Sequence, residues 1–129
     1  MVAVIREVDK KDVGALSKEV RAIAKKAREK GLSPQEMQGG CITISSLGGL
    51  GAGPFTPIVN SPEVAILGVA KSYMKPVWQN NAWQPQLTLP LCLSYDHRAI
   101  DGAQGAAFVA ALGETLAKAE NALFQPAKG

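Results

Sequence analysis

The sequence predicts an α/β domain of two layers, with helices laid on a mixed β-sheet. Three observations point there. Over 129 residues the elements run strand, helix, several strands, helix, a length that suits one domain with a real core. Val64 to Val69 is nearly continuous apolar, as expected of a strand covered on both faces. Val13, Leu16, Val20, Ile23, Ala24 and Ala27 recur at three- and four-residue spacing, the mark of one apolar helix face.

The elements follow in order. Val2 to Val8 alternates weakly and reads as a strand, and Asp9 offers an N-cap for the amphipathic helix that ends at Gly31. Ser33-Pro34-Gln35-Glu36 has the shape of a capping box with proline at the first helical position, so a short helical turn is expected. Cys41 to Leu47 is the next strand. Side chains alternate along it, so Ile42 and Ile44 point one way while Cys41, Thr43 and Ser45 point the other. Ser45 thus shares a face with a small polar residue, as a site-facing hydroxyl should. Gly48 to Pro54 is a flexible loop whose glycines let backbone pass close to a ligand or another subunit. It lacks the Gly-Lys-Ser/Thr ending and the helix of a phosphate-binding loop.

Met74 to Trp78 and Trp83 to Thr88 flank Asn80-Asn81, which suits a tight hairpin with Trp78 and Trp83 paired across it. Leu87 to Tyr95 continues as a long apolar strand broken at Pro90. Asp101 then caps a helix from Gly102 to about Asn121, packed through Ala106, Ala107, Ala110 and Leu116.

Charge and cysteine exclude several classes. The net charge is +3, with nine Lys/Arg against five Asp/Glu in residues 1–30 and a net of −1 in the rest. A lopsided helix of this kind is a solvated face, and no aromatic interleaving or recognition motif supports nucleic-acid binding. Cys41 and Cys92 both sit in strand-like runs and read as buried free thiols rather than a disulfide or metal pair. No apolar stretch approaches membrane-span length, and the N-terminus lacks a basic-then-apolar signal. A soluble, reducing compartment is the expectation.

The chain's chemistry gathers at Ser94-Tyr95-Asp96-His97-Arg98-Ala99-Ile100-Asp101-Gly102, a strand-to-helix turn that holds the only histidine. Imidazole is the one side chain that ordinarily titrates close to neutrality, so His97 is the first candidate for a base. Asp101, four residues on, stands at the helix start. Arg98 reads as structural, paired with Asp101 or a neighbouring chain.

Asp-His-Arg-x-x-Asp-Gly resembles the active-site signature of the dihydrolipoyl acyltransferases, the core subunits of 2-oxo-acid dehydrogenase complexes, and of the related chloramphenicol acetyltransferases. Thr43 to Gly49 looks like that family's glycine-rich segment, and Phe55 to Asn60 and Pro62 to Gly68 look like its next two blocks. Leu89-Pro90-Leu91 completes the series. The resemblance runs from about Val4 to Phe124, closest in wording to the acetyl-transferring members of pyruvate complexes.

The resemblance implies a chloramphenicol acetyltransferase-like fold, truncated at its N-terminus. Residues 1–129 would be the C-terminal half of a catalytic domain, without the lipoyl and peripheral-subunit-binding domains. It implies acetyl transfer between dihydrolipoamide and coenzyme A, both substrates, with no covalently bound cofactor and no metal. His97 would be the general base toward the coenzyme A thiol. Ser45 would donate to the oxyanion, and Asp101 would hold the turn. A free thiol ordinarily loses its proton near pH 8.5, so a positioned base is worth roughly 100- to 10,000-fold, and an oxyanion donor about 100- to 1,000-fold. The implied partners are copies of the chain, as a homotrimer or higher cage with His97 facing a neighbour's serine segment, and the parent complex's lipoyl domain. The implied location is the bacterial cytoplasm. Leu123-Phe124 would be a hydrophobic knob joining trimers or a plain helix end. A non-catalytic, self-assembling core of the same fold is the other expectation.

Overall fold

A computed structural model describes residues 2–119 of the chain. The chain divides into two compact units, one built on the first forty residues and the other on Cys41–Ala117. Each is described by itself.

In the first unit, residues 2–7 belong to no strand and Glu7 takes a left-handed backbone (φ 51°), contrary to the expected strand over Val2 to Val8. The alternation there finds no sheet edge, and the backbone turns to a helix end instead. Val4 N donates to Glu36 O at 2.8 Å, and the Arg6 guanidinium donates to the carbonyls of Gln35 (3.1 Å) and Gln38 (2.9 Å). A 3-10 turn, Val8–Lys10, takes up Asp9. The cap of helix α1, Val13–Glu29, is therefore Asp12, whose Oδ1 accepts from Ala15 N at 2.6 Å. The helix stops at Lys30, and Gly31 supplies the left-handed backbone (φ 76°) that follows. Helix α2, Pro34–Met37, carries the anticipated capping box, with Glu36 accepting from both the backbone and the hydroxyl of Ser33. Lys26 adds an ion pair to Glu36 at 2.5 Å.

In the second unit, β1 (Thr43–Ser46), β2 (Ala65–Val69) and β5 (Leu91–Tyr95) form a mixed sheet in the order β1-β2-β5, parallel on one side of β2 and antiparallel on the other. Its centre is the continuous apolar run. Ala65, Ile66, Leu67 and Ala70 are buried, with Thr43 as the one buried polar residue among those described. Thr43 answers its burial by donating to Glu63 Oε2 at 2.5 Å and accepting from Asn60 at 3.3 Å.

Register sorts the two faces, because residues paired across strands share one. Ser45, Gly68 and Cys92 stand in line on one face. A Cβ placed on Gly68 would meet Pro57 at 3.1 Å and Phe55 at 3.2 Å, so the loop after β1 crosses closely there. Ala65 and Tyr95 lie on the other face, where helix α3, Gly102–Lys118, begins over the sheet. The parity expected along β1 holds: Thr43 is buried and Ser45 half-buried, while Ile44 is 66% exposed.

The expected long strand from Leu87 to Tyr95 divides at Pro90 into strands of two different sheets. β3 (Tyr73–Gln79) and β4 (Ala82–Thr88) make a separate antiparallel ribbon turning at Asn80 and Asn81, both left-handed (φ 52° and 59°). Trp78 and Trp83 face each other in it, ring centroids 5.4 Å apart and edge-on.

Two packing expectations are corrected. On α3 the sheltered residues are Gly105, Val109 and Leu112, whereas Ala106, Ala107, Ala110 and Leu116 are exposed. A helix so rich in alanine has little contrast between faces, and the fit of one glycine selects the inner stripe. Cys41 is exposed and Cys92 half-buried, both free thiols, because Cys41 lies in the bend before β1 rather than in the strand. Leu123, Phe124 and the expected helix end at Asn121 lie outside the described residues.

Candidate functional site

β5 ends at Tyr95, and the chain turns sharply through residues 96–100 into α3. Asp96 builds that turn. Its backbone N donates to Val64 O at 2.8 Å, which ties the turn to the start of β2, and its carbonyl accepts from Ala99 N and Ile100 N, each at 3.0 Å. Its carboxylate accepts from Arg98 four times over: from the backbone N at 3.0 Å, from Nε at 3.0 and 3.1 Å to the two oxygens, and from Nη2 at 2.6 Å. The Arg98 guanidinium, then its backbone N–H, hold the Asp96 carboxyl down at about 2, well below the ordinary 3.8. The same pair raises Arg98 above its usual value. Arg98 therefore pairs with Asp96, not with Asp101 as the sequence suggested. Two residues on, across a turn, is closer than three residues on into a helix.

His97 stands between the two members of this pair, at the exposed crest of the turn. Its ring nitrogens meet no hydrogen-bond partner among the described residues, and its one ring neighbour is Tyr95, at 5.8 Å between centroids with planes inclined by 41°. The imidazole is thus exposed with neither ring nitrogen engaged. A general base toward an incoming group requires that arrangement.

Asp101 performs the capping expected of it. Its Oδ1 accepts from Gln104 N at 2.8 Å, and Gln104 Oε1 accepts from Asp101 N at 3.0 Å, a reciprocal box that starts α3. Its carboxylate makes no hydrogen bond to His97, so its reach to the imidazole is through the backbone of the turn.

Ser45 lies elsewhere. Its hydroxyl is half-buried and without a hydrogen-bond partner among the described residues. It stands level with Gly68 and Cys92, on the opposite face from Tyr95. Two interstrand spacings and three residues of strand put it roughly 14 Å from Tyr95. One chain brings His97 and Asp101 onto one turn and leaves Ser45 apart. Chemically, the turn offers an accessible imidazole and β1 offers a hydroxyl without a hydrogen-bond partner among the described residues. Among the described residues no group of His, Cys, Asp and Glu suits a metal ion.

Sequence reasoning missed Tyr95 and Gly105. A ring built against a helix glycine leaves only a weak trace, an aromatic at a strand end followed by glycine in the next helix.

Residues 1–124 match the family model of the 2-oxoacid dehydrogenases acyltransferase (catalytic domain). The dihydrolipoyllysine-residue acetyltransferase component of the pyruvate dehydrogenase complex from Pseudomonas aeruginosa is 59% identical over 117 residues, covering 91% of this chain and 21% of that protein. The same component from Cupriavidus necator is 57% identical over 117 residues, with the same coverage. Among solved structures, the Azotobacter vinelandii dihydrolipoamide acetyltransferase superposes with a TM-score of 0.87 at 58% identity, over 91% of this chain and 48% of that one. That enzyme was investigated for the role of a serine, a histidine and an asparagine in its catalytic mechanism. The cubic core of a pyruvate dehydrogenase multienzyme complex gives a TM-score of 0.86 at 57% identity, over 90% of this chain and 48% of that one. The likeness bears out the expected α/β fold with a mixed sheet. The chain spans about a fifth of the length of the curated relatives it matches and about half of the solved structures.

Proposed function

We infer, for a chain that belongs to the family of 2-oxoacid dehydrogenase acyltransferase catalytic domains, that it transfers an acetyl group between dihydrolipoamide and coenzyme A. The observation that carries this reading is His97, the only imidazole, held outward from a braced turn with its ring nitrogens unengaged. A second observation supports it. The serine, histidine and asparagine studied in the Azotobacter vinelandii enzyme are separated by 52 and by four residues, and Ser45, His97 and Asp101 have the same separations. Asp101 takes the place of that asparagine in this spacing.

The chemistry is proton management around one sulfur. A ring nitrogen of His97 takes the proton from the thiol of coenzyme A, and the thiolate attacks the carbonyl of the acetylated dihydrolipoamide. The new C–S bond pushes charge onto the carbonyl oxygen, where the Ser45 hydroxyl donates. The intermediate collapses by breaking the C–S bond to dihydrolipoamide, whose departing sulfur receives the proton from the imidazolium. Asp101 and Asp96 hold the turn and do not touch the reacting atoms.

His97 and Ser45 stand apart in one chain, so the reading takes them from two copies, as in a trimer or a higher cage. The exposed apolar face of the β3–β4 ribbon supports such self-association. Residues 1–129 would then be part of a catalytic domain visited by a lipoyl domain, in the bacterial cytoplasm. The same ribbon supports a second reading, a self-assembling core without turnover.

One assay separates the two: free dihydrolipoamide with acetyl-coenzyme A, beside mass measurement in solution. The enzyme reading expects turnover that falls at least about 100-fold in His97→Ala with the fold unchanged. Wild-type rates in that variant would remove His97 from the mechanism, and an assembled wild type without turnover would make the chain a scaffold.

A further inference from the structure

A base that meets no hydrogen-bond partner is oriented by what it packs against, and His97 packs against Tyr95. Tyr95 is itself closely seated. It leaves β5 on the helix side of the sheet, paired with Ala65. There its ring lies on the opening turns of α3. A Cβ placed on Gly105 would come within 2.8 Å of Cε1 and 3.1 Å of Cζ, and one on Gly102 within 3.9 Å of the hydroxyl oxygen. Real side chains do not approach that closely at 2.8 Å, so only glycine admits the ring at 105. Gly105 is also the one fully buried residue of the helix. Sheet, helix and imidazole therefore meet on a single phenol ring.

We propose that Tyr95 is a positioning residue: seated on Gly105, its ring holds the His97 imidazole in the orientation from which it takes the thiol proton. The proposal rests on His97 as the base. Asp96 and Arg98 fix the backbone on either side of His97 but do not touch its ring; Tyr95 supplies the restraint on the ring itself. A tilted aromatic pair of this kind is worth a factor of roughly two to ten in the population of the held orientation.

The chain has one histidine, so its two ring-carbon protons give unambiguous NMR signals. In the wild-type protein, cross-relaxation between those protons and the Tyr95 ring protons is expected, and its absence overturns the proposal without any variant. Tyr95→Phe keeps the ring and should leave the histidine signals and kcat within about twofold of wild type. Tyr95→Leu removes the ring and should shift both signals while lowering kcat roughly two- to tenfold at unchanged KM. Gly105→Ala, which displaces Tyr95 without touching His97, should shift the same signals in the same direction. Unmoved histidine signals in Tyr95→Leu, or equal loss of kcat in the Phe and Leu variants, overturn the proposal. The catalytic reading fails separately, through wild-type rates in His97→Ala, and the spectroscopic result stands apart from it.

Discussion

The β1-β2-β5 sheet and the β3–β4 ribbon lie on the same stretch of chain, β2 leading into β3 and β4 into β5, yet only one of them makes a core. In the sheet, the central strand has α3 beginning on one face and Phe55 and Pro57 on the other, and its side chains are buried. In the ribbon nothing is buried. The register places Met74 with Leu87, Pro76 with Pro85 and Trp78 with Trp83 on one wholly apolar face, and Lys75 with Gln86 and Val77 with Gln84 on the other. Leu87 is 68% exposed and Trp83 69%. A two-stranded hairpin is marginal by itself in water. Its alternation is that of a half-buried strand pair, so the central strand finds cover within the chain while the ribbon keeps an apolar face open to solvent. The candidate residues divide likewise, with His97 and Asp101 on one turn and Ser45 apart on β1.

The contrast can be broken at the ribbon. On the reading that a second copy covers it, Trp78→Ser with Trp83→Ser should convert the assembly to smaller species while far-ultraviolet circular dichroism of the chain changes little. An aromatic at the centre of an interface typically contributes about 2 kcal/mol or more, roughly 30-fold in dissociation constant for each. Equal masses for variant and wild type in sedimentation would return the ribbon to the status of a solvated hairpin.

A smaller effect sharpens the other side of the comparison. Asp96 titrates near 2 in the folded chain, below its ordinary 3.8, so its pairing adds stability above about pH 4 that is lost as pH falls through about 2. Arg98→Ala should move the Asp96 carboxyl signal back toward the ordinary range. It should also lower the urea midpoint slightly at pH 7, with the difference from wild type shrinking as pH falls toward 2. Arg98 faces solvent, so the stability change is modest, and a midpoint difference that stays undiminished from pH 7 to pH 2 would show that Arg98 acts through something other than this pair.

Much of this was readable from residues alone, and the failures have physical causes. The ribbon was legible because alternation and Asn80-Asn81 agree, and β2 because five apolar residues in a row need cover on both faces. The N-terminal strand was misread because alternation says nothing about whether a sheet edge exists to receive it. The inner face of α3 was misread because alanines do not mark a side; Gly105 does, and only through the ring that occupies its missing Cβ. His97 stood out by being single, and Ser45 by parity. Tyr95 did not, since an aromatic at a strand end reads as ordinary core until its distance to the imidazole is known.

On the proposed function, His97 and Ser45 act together from different copies of the chain. Co-refolding His97→Ala chains with Ser45→Ala chains tests it most directly, because a mixed assembly contains interfaces where an intact imidazole meets an intact hydroxyl. The account predicts that the mixture regains a substantial fraction of wild-type transfer, well above the sum of the two variants refolded alone. A mixture that assembles fully and shows only that sum would contradict it.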